Sequence, residues 1–461
     1  MYYVDFKNPI HVHFIGIGGI SMSGLAEILL ARKFTVSGSD NNASALTDHL
    51  ASIGARIFIG QSAANISSDI DLVIYTAAIH EDNPELCKVR RLGIPVLSRA
   101  EFLGQLMLNY KDSIAVSGTH GKTTTTSMMS EILLENEMDP TISVGGVLKS
   151  IGGNVRVGNS ETFITEACEY TNSFLNFYPR IAVILNIEED HMDFFKDLAD
   201  IRHSFHEFAL RVPEKEGVLI INGEIPRFDS FVEDLDMKII TYGIGEGYDY
   251  SAINIKYDEF ARGSFDLVKN GEVTAHIGLG VTGRHNVSNA LPAIAVGDLL
   301  GIPMESIKKG LLNFTGTDRR FEYKGTCSGF TIIDDYAHHP TEITATLKTA
   351  RRYPHNKTWC IFQPHTYTRT KAFFKEFAQA LTIADHVILA DIYAARETDT
   401  LGMSSELLAE EVNKVGGDAI YLPSFEAIEE YILSNCKDRD LVITMGAGNV
   451  VQIGEELLEK C

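Results

Sequence analysis

SIAVSGTHGKTTTTSMMSEILLEN, residues 113–136, decides how this chain is read. A short apolar run, IAV, leads into the turn GTHGKTTTT at 118–126, after which Met129, Ile132 and Leu133 recur at helical spacing. Strand, glycine turn and helix in that order form the context of a phosphate-binding loop. Gly118 and Gly121 let the backbone curl, so that its N–H groups and the helix start face an anion. Thr119, His120 and Thr124 complete the cradle, Lys122 supplies a point charge, and Thr123 offers a hydroxyl to Mg2+. Val116 stands where the usual eight-residue pattern has its first glycine, so this is the shorter GTxGKT form.

Outward from the loop, the chain alternates strand-like and helix-like runs. HVHFIGIG, SGLAEILLARK, FTVSGSD, DLVIYTAA and IPVLS fill the first hundred residues. VILNI and VLIIN follow the loop, and FTIIDDY, WCIFQP, HVILAD and DLVITMG come later. The alternation predicts parallel sheets in an α/β protein. At 461 residues the length suits three domains of roughly 150 residues each, with boundaries expected at 1–111, 112–314 and 315–461.

Composition excludes several classes. A formal net charge of −22 repels nucleic acid, so no DNA or RNA role is expected. No apolar stretch approaches the roughly 20 residues of a membrane span, and Asp5 with two histidines interrupts any secretory leader, so a cytoplasmic location is expected. The six cysteines (Cys87, Cys168, Cys327, Cys360, Cys436 and Cys461) form no CxxC pair. Neither a disulfide framework nor structural zinc is expected from them, and they read as reduced, mostly packing thiols.

Near the N-terminus, Gly16, Gly18 and Ser21 sit where G-x-G-x-x-G would, with Gly19 between them, and Asp40 ends the next strand. By itself this turn suits a dinucleotide, and an NAD-linked oxidoreductase is one reading. The same array of N–H groups serves any pyrophosphate.

Four further motifs stand in order. GIGGISMSGLAEIL begins at 16, GRHNVSNALPAIA spans 283–295, IIDDYAHHPTE spans 332–342 and FQPHTYTRT spans 362–370. Together with the short loop they resemble the Mur ligases over nearly the whole chain. The resemblance implies a three-domain architecture: a Rossmann-like N-terminal domain, a central P-loop ATPase domain and a C-terminal Rossmann-like α/β domain. It implies ATP and Mg2+ as cofactors, and ligation of L-alanine to the lactyl carboxylate of UDP-N-acetylmuramate, in a monomer or weak homodimer. A ligase attaching a whole tripeptide to the same sugar nucleotide is the alternative within this family.

Site roles follow from the resemblance. Gly18, Gly19, Ser21 and Asp40 cradle the UDP group. Thr123 and Glu166 hold Mg2+, and His191 helps hold a second ion. Some family members carry a carbamylated lysine about fifteen residues beyond that histidine; counting from His191 reaches His206 here, and no modified lysine is expected. His285, Asn286 and Asn289 face adenine, while Arg320 contacts phosphate. Asp334 or Asp335 binds ribose or bridges to metal-bound phosphate. Tyr336 and His338 approach the amino acid, with His338 a candidate proton acceptor. Where many members have two arginines, Thr366 takes the first place, leaving Arg369 and His365 to hold the alanine carboxylate.

Overall fold

The computed structural model describes residues 3–461 apart from Ala77, Arg396 and Thr400. Two compact units account for the chain: Met1–Glu188 with Leu198–Tyr242 and Ala295–Ile302, and Glu189–Asp197 with Gly243–Ile294 and Pro303–Cys461.

In the first unit, five parallel strands run in the order Arg56–Ile59, Thr35–Asp40, His11–Ile15, Leu72–Tyr75, Val96–Ser98. The order reverses beside His11–Ile15, so the glycine turn leaves the carboxyl end of that strand at a topological switch point, where open α/β sheets receive ligands. A second sheet in this unit centres on Asp112–Ser117, flanked in parallel by Ile181–Ile184 and Thr162–Glu166. The phosphate loop and Glu166 are therefore delivered by adjacent strand ends.

The first unit includes both the segment read as sugar-nucleotide binding and the loop-bearing strands. Helix Arg99–Met107 makes close packing visible: a Cβ on Gly104 would fall 1.9 Å from the carbonyl oxygen of Asn176. Gly24, in helix Ile20–Ala31, likewise leaves no room beside Val155.

The second unit holds an antiparallel ribbon, Tyr250–Tyr257, Arg262–Lys269 and Glu272–Thr282. It also holds a six-stranded sheet in the order Glu322–Cys327, Phe330–Asp335, Leu441–Met445, Thr358–Phe362, His386–Leu389, Ala419–Tyr421. Only the first of these six is antiparallel to its neighbour. Side chains alternate across the sheet: Ile333, Phe362 and Met445 enter one apolar core, while Ile332, Ile361 and Val442 enter another. Burial on both faces explains why these strands read as continuous apolar runs.

Two of the cysteines depart from the reduced state expected of them. Cys327 and Cys461 form a disulfide, with Cα atoms 5.4 Å apart across a sequence separation of 134 residues. Sequence spacing carries no signal for a pair brought together only by the fold. Cys87, Cys168, Cys360 and Cys436 are free thiols, as expected. No helix among the described residues is long and apolar enough to cross a membrane.

Gly104→Ala tests the packing of the first unit. The added methyl has backbone, not a flexible side chain, in its way, so a loss of about 2 kcal/mol is expected. Thermal melting of the full chain measures it, and an unchanged midpoint contradicts the contact.

Candidate functional site

The phosphate loop owes its shape to two glycines at positive φ, Gly118 at +146° and Gly121 at +87°. Gly121 is also the N-cap of helix Lys122–Glu135, and no side chain caps that end. Unsatisfied N–H groups at a helix start attract anions. The loop is braced from the side: the His120 amide donates to Asn186 Oδ1 (2.8 Å), whose Nδ2 donates back to the His120 carbonyl (3.0 Å). The Thr119 hydroxyl accepts from the Glu188 amide at 2.9 Å. Thr124 lies in the first helical turn, partly exposed.

Lys122 folds back over the turn and donates to the carbonyls of Gly118 and Thr119. Its Nζ lies 2.9 Å from Glu169 Oε2. Burial opposes the ammonium, yet the attraction of Glu169, with smaller contributions from Cys168 and Glu166, holds Lys122 above the usual lysine range. The lysine is thus cationic and held in place. Beside it, the Thr123 hydroxyl donates to Glu166 Oε2 at 3.0 Å, and Glu166 also accepts from the Gly145 amide. A hydroxyl and a carboxylate at this spacing suit a hard divalent cation, which prefers oxygen ligands.

At the N-terminal turn, Gly16 adopts φ +86°. The amides of Gly16 and Ile17 both donate to the Ser39 carbonyl, at 2.8 and 3.0 Å. Gly18 donates to Asp40 Oδ2 at 2.9 Å, and a Cβ at Gly18 would sit 2.9 Å from that same oxygen. Gly19 is the N-cap of helix Ile20–Ala31, with Ser21 in the first turn. Arg99, for which the sequence carries no local signal, donates from Nη1 to the Ser21 hydroxyl at 3.1 Å. This puts a guanidinium beside the glycine turn. Elsewhere in this unit His206 has Nε2 2.8 Å from Asp234 Oδ1.

In the second unit, His285, Asn286 and Asn289 begin helix Arg284–Leu299. His285 is exposed, whereas the two asparagines are buried and joined: Asn289 Nδ2 donates to Asn286 Oδ1 at 3.0 Å, and Asn286 Nδ2 donates to the Thr282 carbonyl at 2.7 Å. The fold turns Asp334 and Asp335 inward. Asp334 accepts from Thr444 Oγ1 (2.6 Å) and Arg319 Nε (3.1 Å), and Asp335 accepts from the amides of Phe321 and Ala337, both at 2.8 Å. Their oxygens build the linker that carries Arg320, whose guanidinium lies 5.3 Å from the centre of the Tyr336 ring. That linker needs fastening, because Arg319 and Phe321 both adopt positive φ, 62° and 49°. Burial pushes the Asp335 carboxyl up to about 6, although Arg320 pulls it down.

The loops after Phe330–Asp335 and Thr358–Phe362, strands on either side of Leu441–Met445, bring together Tyr336, His338, His365 and Arg369. The His338 ring lies 5.4 Å from that of Tyr336 and 6.0 Å from that of His365. Burial and nearby Arg369 push His338 down to about 4, against the pull of Glu342, so its imidazole is neutral at pH 7. His338 Nδ1 lies 2.9 Å from the Tyr336 carbonyl, which can only accept, so Nδ1 carries the proton and Nε2 the lone pair. His365 is also neutral, pushed to about 4 by burial and by His338 and Arg369. Its Nδ1 accepts from Arg369 Nη1 at 3.2 Å. Thr366 adopts φ +66° and caps helix Tyr367–Ala372, its hydroxyl accepting from the Arg369 amide. Arg369 in turn pairs at 2.9 Å with Asp190, a residue that no sequence motif singles out. His191 follows it with φ 53° and donates its amide to Asp190 Oδ1.

Three family models match these segments in turn. Those described as Mur ligase family, catalytic domain, Mur ligase middle domain and Mur ligase, glutamate ligase domain cover residues 11–111, 116–297 and 319–448. The chain is 59% identical to a UDP-N-acetylmuramate--L-alanine ligase of Lachnospira eligens over 460 residues, all of both chains. It is 60% identical, again over 460 residues and all of both chains, to the protein of that name from Agathobacter rectalis. Among solved structures, UDP-N-acetylmuramate-alanine ligase MurC from Thermotoga maritima superposes with a TM-score of 0.79 at 29% identity, covering 98% of this chain and 99% of that one. A murein peptide ligase from Psychrobacter arcticus gives a TM-score of 0.68 at 27% identity, covering 98% of each chain.

Asp335 generates a pH-dependent prediction. Its folded pKa, about 6, lies above the ordinary 3.8, so its stabilising share is full below pH 4 and lost as pH rises through 6. Asp335→Asn does not ionise and escapes that loss. Between pH 5 and pH 7 the variant should therefore gain about 1 kcal/mol relative to the unmutated chain. Denaturant unfolding at the two pH values measures this, and a constant difference contradicts it.

Proposed function

The chain belongs to the Mur ligase family, and from that premise we propose that it joins the amino group of L-alanine to the lactyl carboxylate of UDP-N-acetylmuramate, converting ATP to ADP and phosphate. The observation that carries this reading is the short glycine loop with a half-buried, charged Lys122 lying across it. Full-length relatives named UDP-N-acetylmuramate--L-alanine ligase, 59% and 60% identical, support the choice of substrates. They favour it over the tripeptide-adding alternative; a solved UDP-N-acetylmuramate:L-alanyl-gamma-D-glutamyl-meso-diaminopimelate ligase is 29% identical and matches 68% of this chain.

The roles divide along the three expected segments. Residues 1–111 take the sugar nucleotide, its UDP group cradled by Gly18, Gly19, Ser21 and Asp40, the last of which also accepts from the Gly18 amide. Residues 112–314 take ATP. Gly118, Thr119, His120, Gly121, Lys122, Thr123 and Thr124 cradle its phosphates, and His285, Asn286 and Asn289 receive adenine. Thr123 and Glu166 fit Mg2+, which supplies neutralising charge between the substrate carboxylate and the triphosphate. His191 is assigned to a second ion. Residues 315–461 take L-alanine, with Arg320 reserved for phosphate. Asp334 or Asp335 is assigned to the ribose or to metal-bound phosphate, and both carboxylates also fasten the Arg319–Arg320 linker.

In the first step an oxygen of the lactyl carboxylate attacks the γ-phosphorus, the bond to the β-phosphate oxygen breaks, and ADP leaves an acyl phosphate. Lys122 and the loop N–H groups hold the phosphoryl group in line and offset its charge. In the second step the neutral amine attacks the acyl carbon and the tetrahedral intermediate expels phosphate. Arg369 orients the alanine carboxylate, Tyr336 and His365 line its approach, and His338 offers the Nε2 lone pair to the amine proton. We place the reaction in the cytoplasm.

Two measurements test the proposal. Phosphate release in the presence of ATP, Mg2+ and UDP-N-acetylmuramate should begin on addition of L-alanine; release only with the tripeptide favours the recycling reaction. Lys122→Ala should lower ADP formation by about a hundredfold or more while the variant still binds UDP-N-acetylmuramate in calorimetry. Loss of both at once contradicts the division of labour.

A further inference from the structure

Asp190 holds one edge of the Arg369 guanidinium. A single carboxylate oxygen, Oδ1, accepts from Arg369 Nη2 at 2.9 Å and from Arg369 Nε at 3.3 Å. The same oxygen takes the His191 amide at 2.7 Å, which fixes the carboxylate against its own backbone. Both partners are nearly buried, the Asp190 and Arg369 side chains being 8% and 12% exposed. A guanidinium presents two bidentate edges, Nε with Nη2 and Nη1 with Nη2. Occupation of the first leaves the second for another carboxylate. Nη1 also reaches the neutral ring of His365 at 3.2 Å with one of its two hydrogens, a second hold on the fork. Thr366, at the place where the resemblance leads one to expect a second cation, contributes a helix cap instead, so Arg369 is the guanidinium left in this motif.

We propose that Asp190 is a positioning residue for the amino-acid substrate: by occupying the Nε/Nη2 edge of Arg369 it turns the Nη1/Nη2 edge toward the carboxylate of an α-amino acid. The inference rests on the reading in which Arg369 receives that carboxylate. Asp190 touches no substrate and acts through the arginine. A guanidinium already held in one rotamer gives up little freedom when the substrate arrives, so the effect falls on amino-acid affinity.

The test compares two amines that differ only in the group Arg369 is said to read, L-alanine and L-alaninamide. Phosphate release is measured with full-length Asp190→Ala, Asp190→Asn, Arg369→Ala and the double variant Asp190→Ala/Arg369→Ala. Asp190→Ala should lower the kcat/KM preference for L-alanine over L-alaninamide by about tenfold or more, through KM for L-alanine, with KM for ATP and UDP-N-acetylmuramate nearly unchanged. Asp190→Asn keeps an acceptor oxygen and should retain part of the preference, and it serves as the folded comparison if the alanine variant is unstable. The double variant should show no lower preference than Arg369→Ala alone, because both changes remove one unit. Equal losses with both amines, or an unchanged preference in both Asp190 variants, overturn the proposal. An unmutated chain that ignores the carboxylate overturns the reading of Arg369 itself, and that outcome is visible before any variant is made.

Discussion

A positive charge half-buried in a strongly acidic chain is held where a carboxylate or carbonyl receives it, and this constraint recurs in each of the two units. Lys122 is held by Glu169 and by two carbonyls of its own loop. Arg369 is held by Asp190, and Arg319 by Asp334 and the Gly446 carbonyl. Removing one partner of such a pair leaves an uncompensated charge, which is costlier than losing the pair. Acidic residues that look like background in the sequence are therefore the groups that keep each cation aimed.

Strand order does the rest of the positioning. The phosphate loop and Glu166 come from neighbouring parallel strands, so a hydroxyl from one and a carboxylate from the other meet at 3.0 Å without a long loop. The histidine cluster likewise comes from the ends of strands flanking Leu441–Met445. Parallel sheets gather loops at their carboxyl ends, and chemistry collects there.

Much of this is legible in the sequence. The glycines of the phosphate loop, the helix that follows and the buried strands carry local signals: positive φ, helical spacing and apolar runs. Glu169, Asn186, Arg99 and Asp190 carry none, because each matters through a partner 47 to 179 residues away. Asp334 and Asp335, two acids beside a tyrosine and two histidines, suggest ligand binding in the sequence, whereas the hydrogen bonds that their oxygens accept from Thr444, Arg319 and backbone amides come only with the fold. The disulfide between Cys327 and Cys461 is equally out of reach, since the residues are separated by 134 positions and meet only because the chain's end returns to an edge strand.

The absence of a side chain at Gly104 has a consequence for how this chain could have been assembled. With Asn176 pressed against that helix, residues 1–111 and the loop-bearing strands are packed backbone to helix at this point. A segment so joined cannot be exchanged for a relative's as a free module; the residues around 176 would have to travel with it.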